Sequence, residues 1–296
     1  MKLAGIRSTK GENVFLVFNY LFLVLVSAIC LYPMIYVLFA SLSNNNQLMQ
    51  HTGLLLTPAG FSVTAYARVF KNPMILIGYR NTLFILTAGV LLSLFMTSLG
   101  AYFLSRKGVL FKKPIMMFII FTMFFSGGMI PTYLNLRDLG LINSLWGLII
   151  PAAISTYNMI IMRTGFMSIP ESLTEAAIID GAGHLRILFS VVLPLSKAII
   201  AVMVLYYGIA IWNAWFWASA IIRERELYPL QVILREILLQ HSALEMSTGV
   251  DAGDQDSIAL TIRYATIIVS TVPVLCIYPF LQKYFSKGVM IGAIKE

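Results

Sequence analysis

The stretch "AIIAVMVLYYGIAIWNAWFWASAII", residues 198–222, runs for 25 residues without an Asp, Glu, Lys or Arg. A helix needs about 20 mostly apolar residues to cross the hydrocarbon of a bilayer. Five more such runs lie at 14–41, 81–104, 114–134, 144–162 and 262–282. Across 296 residues, 59% are hydrophobic and 11% charged, and the mean hydropathy is +0.84. A soluble domain of this size cannot bury so much apolar surface. The short alternating segments of an outer-membrane barrel are absent. The sequence therefore predicts an all-α integral membrane protein of six transmembrane helices, a single domain over 1–296.

The first run is about 28 residues long and lacks a small-residue cleavage site after a short apolar core, so it reads as a retained anchor. Cys30 and Cys276 fall inside apolar runs and read as small core residues, with no disulfide framework or metal site indicated.

Charge sets the orientation. With the N-terminus inside, the inner segments hold Lys2, Arg7, Lys10, Arg106, Lys107, Lys112, Lys113, Arg163, Arg186, Lys197, Lys283, Lys287 and Lys295. That is 13 of the 21 basic residues. The positive-inside rule then puts both termini in the cytoplasm. Residues 1–13 form a cytoplasmic N-terminus, 42–79 and 223–257 are outer loops, and 163–197 is the longest inner segment. The net charge of +8 needs no nucleic acid, because a basic inner rim against anionic lipid accounts for it. In the second outer loop, Leu230, Ile233, Leu234, Ile237 and Leu238 recur at helical spacing and predict a short amphipathic helix.

The inner segment carries "ESLTEAAIIDGAGHLRILFSVVLPL", residues 171–195. Ser168 and Glu171 fit a capping box, which starts a helix near 169. Leu173, Ala176 and Ala177 share one side of it. Gly181 and Gly183 permit the left-handed backbone that stops it. A second helix, with Leu185, Leu188, Phe189 and Val192 on its apolar face, runs to Pro194. From pattern alone this helix–turn–helix is either an amphipathic hairpin lying in lipid or a docking piece. Glu171, Glu175 and Asp180 favour docking, since anionic inner-leaflet lipid repels them.

The same residues resemble a known family. "EAAIIDGAGHLRILFSVVLPL" is similar to the EAA loop of permease subunits of bacterial ATP-binding-cassette importers of the type I fold. Glu175, Ala176, Ala177, Asp180, Gly181, Ala182, Phe189, Leu193 and Pro194 occupy the positions of that pattern. "NTLFILTAGVLLSLFMTSLGAYFLSRKG" (81–108), "GLINSLWGLIIP" (140–151) and "YPFLQKYFSKGVMIGAIKE" (278–296) resemble the sugar-importer branch, nearest the second permease of the maltose type and Gram-positive oligosaccharide systems. Ala198 departs from it, where many relatives carry a proline. The resemblance implies that 163–197 is a coupling loop set in a cleft of a cytoplasmic ATPase subunit. There Glu175 would meet a basic residue, Gly181 would fold the loop in, and Ala176 and Ala177 would allow close packing. It also implies a second permease subunit as heterodimer partner, two ATPase subunits holding ATP and Mg, an extracytoplasmic binding lipoprotein, and an oligosaccharide, with a tilt toward acidic plant-polysaccharide fragments, moved by alternating access across a bacterial cytoplasmic membrane.

The chain itself offers little catalytic chemistry. It has no G-x-x-x-x-G-K-[ST] loop, and "SGGMIP" (126–131) lacks the lysine. His51, His184 and His241 are scattered, and "DAGDQD" (251–256) lacks the rest of a calcium loop. No cofactor is expected in this chain. For a substrate path, Trp212, Asn213 and Tyr207 of the fifth run, with Tyr157 and Asn158 of the fourth, supply stacking faces and amides at membrane depth. Asn213 is the sharpest candidate. Tyr206 belongs to the same aromatic set, whereas Trp215 and Trp217 fit an interfacial belt at least as well. Arg263 either meets an acidic sugar or snorkels. "FFSGG" (124–128) offers small residues for helix packing. The rival reading is a membrane-embedded enzyme or a scaffold with an interfacial hairpin.

Overall fold

The computed structural model describes residues 10–247, 260–277 and 279. It is helical, with one isolated bridge between Ser43 and Phe61 among the described residues. The acidic stretch 251–256 and the basic tail with Lys283, Lys287 and Lys295 lie outside the described residues. Two compact units divide the chain: Met1–Lys71 with Ile237–Val269, and Asn72–Glu236 with Ser270–Glu296.

In the first unit, the Lys10–Ser41 helix is long and apolar enough to cross a membrane. Its side chains are largely exposed until Ala40 and Ser41. The chain beyond it folds into a small cap. Ser43 Oγ accepts from the Ala59 N–H at 2.9 Å, and Asn44 caps the Asn45–Gln50 helix. A core of Ala40, Leu48 and Leu55 packs with Tyr36 and Tyr264, whose rings meet edge-on at 5.8 Å. The 42–79 loop is therefore shorter than the sequence suggests. Thr64–Lys71 is a helix, and the next begins at Pro73, because Asn72 Oδ1 accepts from the Met74 N–H and proline fits a first helical turn.

The second unit is built on that helix, Pro73–Ser105, 33 residues long. Its buried stripe includes Gly78, Thr82, Gly89, Ser93, Thr97 and Ala101, spaced four or seven residues apart. Lipid tails are as apolar as leucine, so small residues that let helix backbones approach replace the hydrophobic drive. Around the C-terminal end of that helix lies a core of Tyr102, Leu104, Met162, Phe166, Ile187, Leu188, Val192 and Met203.

Several apolar runs are not straight. Lys112–Phe124 and Met129–Asp138 meet at 108°, because residues 125–128 turn the chain at Gly128, with φ +87°. The glycines of "FFSGG" serve the turn, not the helix approach expected of them. The 144–162 run divides into Trp146–Ile149 and Thr156–Met167, the latter capped by Ser155. The opening stretch 198–222 also breaks. Lys197–Trp212 ends at Asn213, and Phe216–Ile221 follows. Leu260–Ile277 is long enough to cross. Among the described residues three helices pass as spans alone, or up to five if each bent pair counts as one. Cys30 and Cys276 are exposed rather than core, as a small apolar residue is free to be on a surface that faces lipid.

Candidate functional site

Residues 171–195 form a helix, a glycine turn and a second helix. Ser168 does not start the first helix. Its hydroxyl donates back to the Gly165 carbonyl at 2.7 Å and closes the preceding Thr156–Met167 helix. Pro170 stands at the cap of Glu171–Ile179 with no side-chain cap bond. Glu171 turns instead to Lys107, whose ammonium donates to Oε2. That hydrogen bond, reinforced by charge attraction, holds the Lys107 ammonium above the usual lysine range.

The turn follows from Gly181, whose φ of +78° suits a residue without a Cβ. The Gly181 N–H donates to the Ile178 carbonyl and that of Ala182 to Ala177, both at 2.9 Å. These two bonds make a Schellman motif and satisfy carbonyls a helix end would otherwise orphan. The second helix, His184–Leu195, contains a π-turn over Leu188–Val192, which shifts its buried face. Ile187, Leu188 and Val192 are buried, whereas Leu185 and Phe189 are exposed. The expected face of Leu185, Leu188, Phe189 and Val192 is thus corrected. An 87° bend at Ser196 then leads into Lys197–Trp212.

Thr174 is buried, and Ala177, Ala182 and Leu193 pack partly against the core that holds Leu104 and Phe166. Glu175, Ala176, Asp180, Gly181, Phe189 and Pro194 are exposed, beside Ile178 and Ile179, the latter 85% exposed. Tyr102 joins the second helix, its hydroxyl 3.4 Å from His184 Nδ1. Arg163 Nε donates to the Leu104 carbonyl at 3.0 Å. The segment is thus anchored from beneath and presents an apolar and acidic outer face.

A cavity of about 620 Å³ lies between Pro73–Ser105, Thr156–Met167 and Lys197–Trp212. Tyr157, Asn158, Tyr207 and Trp212 line it, with Thr82, Ser155, Tyr206 and Trp217. Tyr207 and Trp212 are held by the frame: the Tyr207 hydroxyl meets Thr97 Oγ1 at 2.7 Å and accepts from the Ser155 N–H at 3.1 Å, and Trp212 Nε1 donates to the Ser270 carbonyl. Asn213 does not line the cavity. Its amide donates to the Ile209 carbonyl at 3.0 Å, closing its own helix. Trp215 instead carries the Arg235 guanidinium 4.0 Å above its ring, and Arg263 is half-buried.

Residues 89–291 match the family described as binding-protein-dependent transport system inner membrane component. The chain belongs to that family. It is 40% identical over 281 residues, 93% of this chain and 96% of the relative, to the polygalacturonan/rhamnogalacturonan transport system permease protein YtcP of Bacillus subtilis (strain 168). It is 38% identical over 289 residues, 98% and 97%, to protein LplC of the same organism. A crystal structure of a bacterial ABC transporter involved in the import of the acidic polysaccharide alginate superposes with a TM-score of 0.85 at 34% identity. It covers 95% of this chain and 100% of that one.

The permease is a non-catalytic membrane component. Two groups of its residues escaped the sequence reading. Thr82 and Thr97, visible only within the stripe at helical spacing along Pro73–Ser105, and Ser155, the cap of Thr156–Met167, are short polar residues in apolar company. Asn143, with φ +57°, accepts from the Arg223 and Glu224 N–H groups at 3.0 Å each and donates to Glu224 Oε1 at 2.7 Å. No spacing signals a clamp across 80 residues.

Proposed function

We propose that this permease is one of two membrane subunits of an ATP-binding-cassette importer that carries an oligosaccharide, of acidic character, inward by alternating access. The observation that carries this reading is the 171–195 segment, its outer face of Glu175, Ala176, Ile178 and Ile179 exposed while Ile187, Leu188 and Val192 share a core with Leu104 and Phe166. A switch must make different contacts in two states, and an element that shares a core with Pro73–Ser105, Thr156–Met167 and Lys197–Trp212 passes a push on to them. Two cytoplasmic ATPase subunits, holding ATP and Mg, dock on that face with Glu175 against a basic residue. Gly181 keeps the turn compact.

Six spans with both termini in the cytoplasm complete the reading. Lys10–Ser41, Pro73–Ser105 and Leu260–Ile277 are each long and apolar enough to cross alone, and 13 of the 21 basic residues fall in the sequence segments that this topology puts inside, which supports the reading. A binding lipoprotein delivers substrate on the outer side, to which this topology assigns the sequence segments 42–79 and 223–257. The cavity with Tyr157, Asn158, Tyr207 and Trp212 offers stacking faces and an amide to a sugar. The names of the polygalacturonan/rhamnogalacturonan and alginate systems similar to this chain support both sugar and acidity.

The test is uptake of defined oligogalacturonides by a strain carrying Glu175→Lys or Gly181→Asp. Loss of uptake with normal membrane levels supports the reading, and normal uptake by both variants refutes it.

A further inference from the structure

The short inner connection 106–113 is closed on itself. Lys112 Nζ donates to the Arg106 carbonyl at 2.8 Å, and Gly108 turns the chain with φ +79°. Phe111 adopts φ +55°, a conformation that costs energy for a bulky residue. The result thrusts two apolar side chains outward: Leu110 is 81% exposed and Phe111 76%. Arg106, Lys107, Lys112 and Lys113 flank them in the sequence, and 105–113 contains no acid. Lys107 is held by Glu171 and Arg106 lies over the Tyr102 ring at 4.8 Å. Lys113 has no protein partner among the described residues.

We propose that this loop is a binding site for anionic phospholipid, with headgroup phosphates between Lys113 and Arg106 and with Leu110 and Phe111 among the acyl chains. Both ends of the loop enter apolar helices, Pro73–Ser105 and Lys112–Phe124, so its tip sits at headgroup depth. There an apolar body with a cationic rim matches lipid on both counts. Because Lys107 also grips Glu171 at the start of the coupling segment, headgroups at this loop bear directly on where that segment stands. The inference rests on the proposed inner-face placement of the loop.

The test places a reporter at the tip. Phe111→Trp, in the assembled transporter, is reconstituted into phosphatidylcholine vesicles carrying either brominated phosphatidylglycerol or brominated phosphatidylcholine, and the parent's fluorescence is subtracted. Brominated phosphatidylglycerol quenches the added tryptophan about twofold more at equal mole fraction, and adding Lys113→Glu removes the excess. Equal quenching by both lipids, or none by either because protein covers the tip, overturns the proposal. Sidedness is read separately: an impermeant maleimide labels Lys113→Cys, in a chain with Cys30 and Cys276 replaced by serine, on inverted vesicles only. Labelling from the outer face overturns the topology on which it rests, whatever the quenching shows.

Discussion

Tyr207 and Thr97, 110 residues apart, share a buried hydrogen bond of 2.7 Å, and the same phenol accepts from the Ser155 N–H. One hydroxyl thus ties Lys197–Trp212 both to Pro73–Ser105 and to the capped start of Thr156–Met167. In an apolar surrounding, a polar group left without its partner is costly. Tyr207→Phe should destabilise the permease by about 1–2 kcal/mol. A double-mutant cycle with Thr97→Val should give a coupling of roughly 1 kcal/mol, measured by thermal unfolding in detergent. Additive losses would mean that the bond carries nothing.

Gly78 and Gly89 lie on the same buried stripe but should differ on substitution. A Cβ at Gly78 would meet Ile233 Cδ1 at 2.6 Å and the Leu230 Cα at 3.0 Å, and backbone cannot swing aside. At Gly89 the obstacle is only Ile211 Cδ1, at 2.9 Å, the end of a flexible side chain. Gly78→Ala is expected to cost about 1–3 kcal/mol through overpacking, and Gly89→Ala under about 1 kcal/mol. Equal melting temperatures for the two variants would contradict the close approach at Leu230.

The Asn143 clamp fixes the 223–229 segment, which Asn81 also holds through the Glu226 and Tyr228 carbonyls at 2.7 and 3.1 Å. Asn143→Ala removes three hydrogen bonds and places an alanine at positive φ. The expected result is tryptic cleavage after Arg223 or Arg225 at a rate about tenfold above the parent, with the rest of the chain as resistant as before. An unchanged digest would show that Asn81 suffices.

The Lys107–Glu171 pair should be nearly silent in stability. Lys107 is well exposed, and pairs in solvent contribute little. Its ammonium is held above the usual lysine range, so what the pair contributes is present below that range and fades only as pH rises through the raised value. Glu171→Gln should leave the melting temperature unchanged between about pH 6 and 8. A shift in that window would assign the pair a structural weight its exposure does not support.

Much of the architecture is legible in composition, because no other solvent accommodates this much apolar side chain. The Gly181 turn is legible too, since a helix that must stop and reverse needs a residue free to take positive φ. What the sequence hides are the breaks and partners. Run 198–222 reads as one span, yet Asn213 folds its amide onto Ile209 and the helix stops at Trp212. Ser168 looks like a start signal and serves as a stop, because its hydroxyl reaches the Gly165 carbonyl behind it more readily than an N–H ahead. Hydropathy averages over a whole span, so it cannot see where single side chains satisfy or release the backbone. Asn143 and Tyr207 act across long sequence separations, which no local pattern encodes.

The central claim is that the exposed face of 171–195 receives the motion of the ATPase subunits. Its most direct measurement is ATP hydrolysis by the purified full transporter with Glu175→Lys, with and without loaded binding protein. With coupling through Glu175, the complex assembles but hydrolysis no longer rises when the binding protein is added, the loss being about tenfold or more. Stimulation equal to that of the parent complex would contradict it.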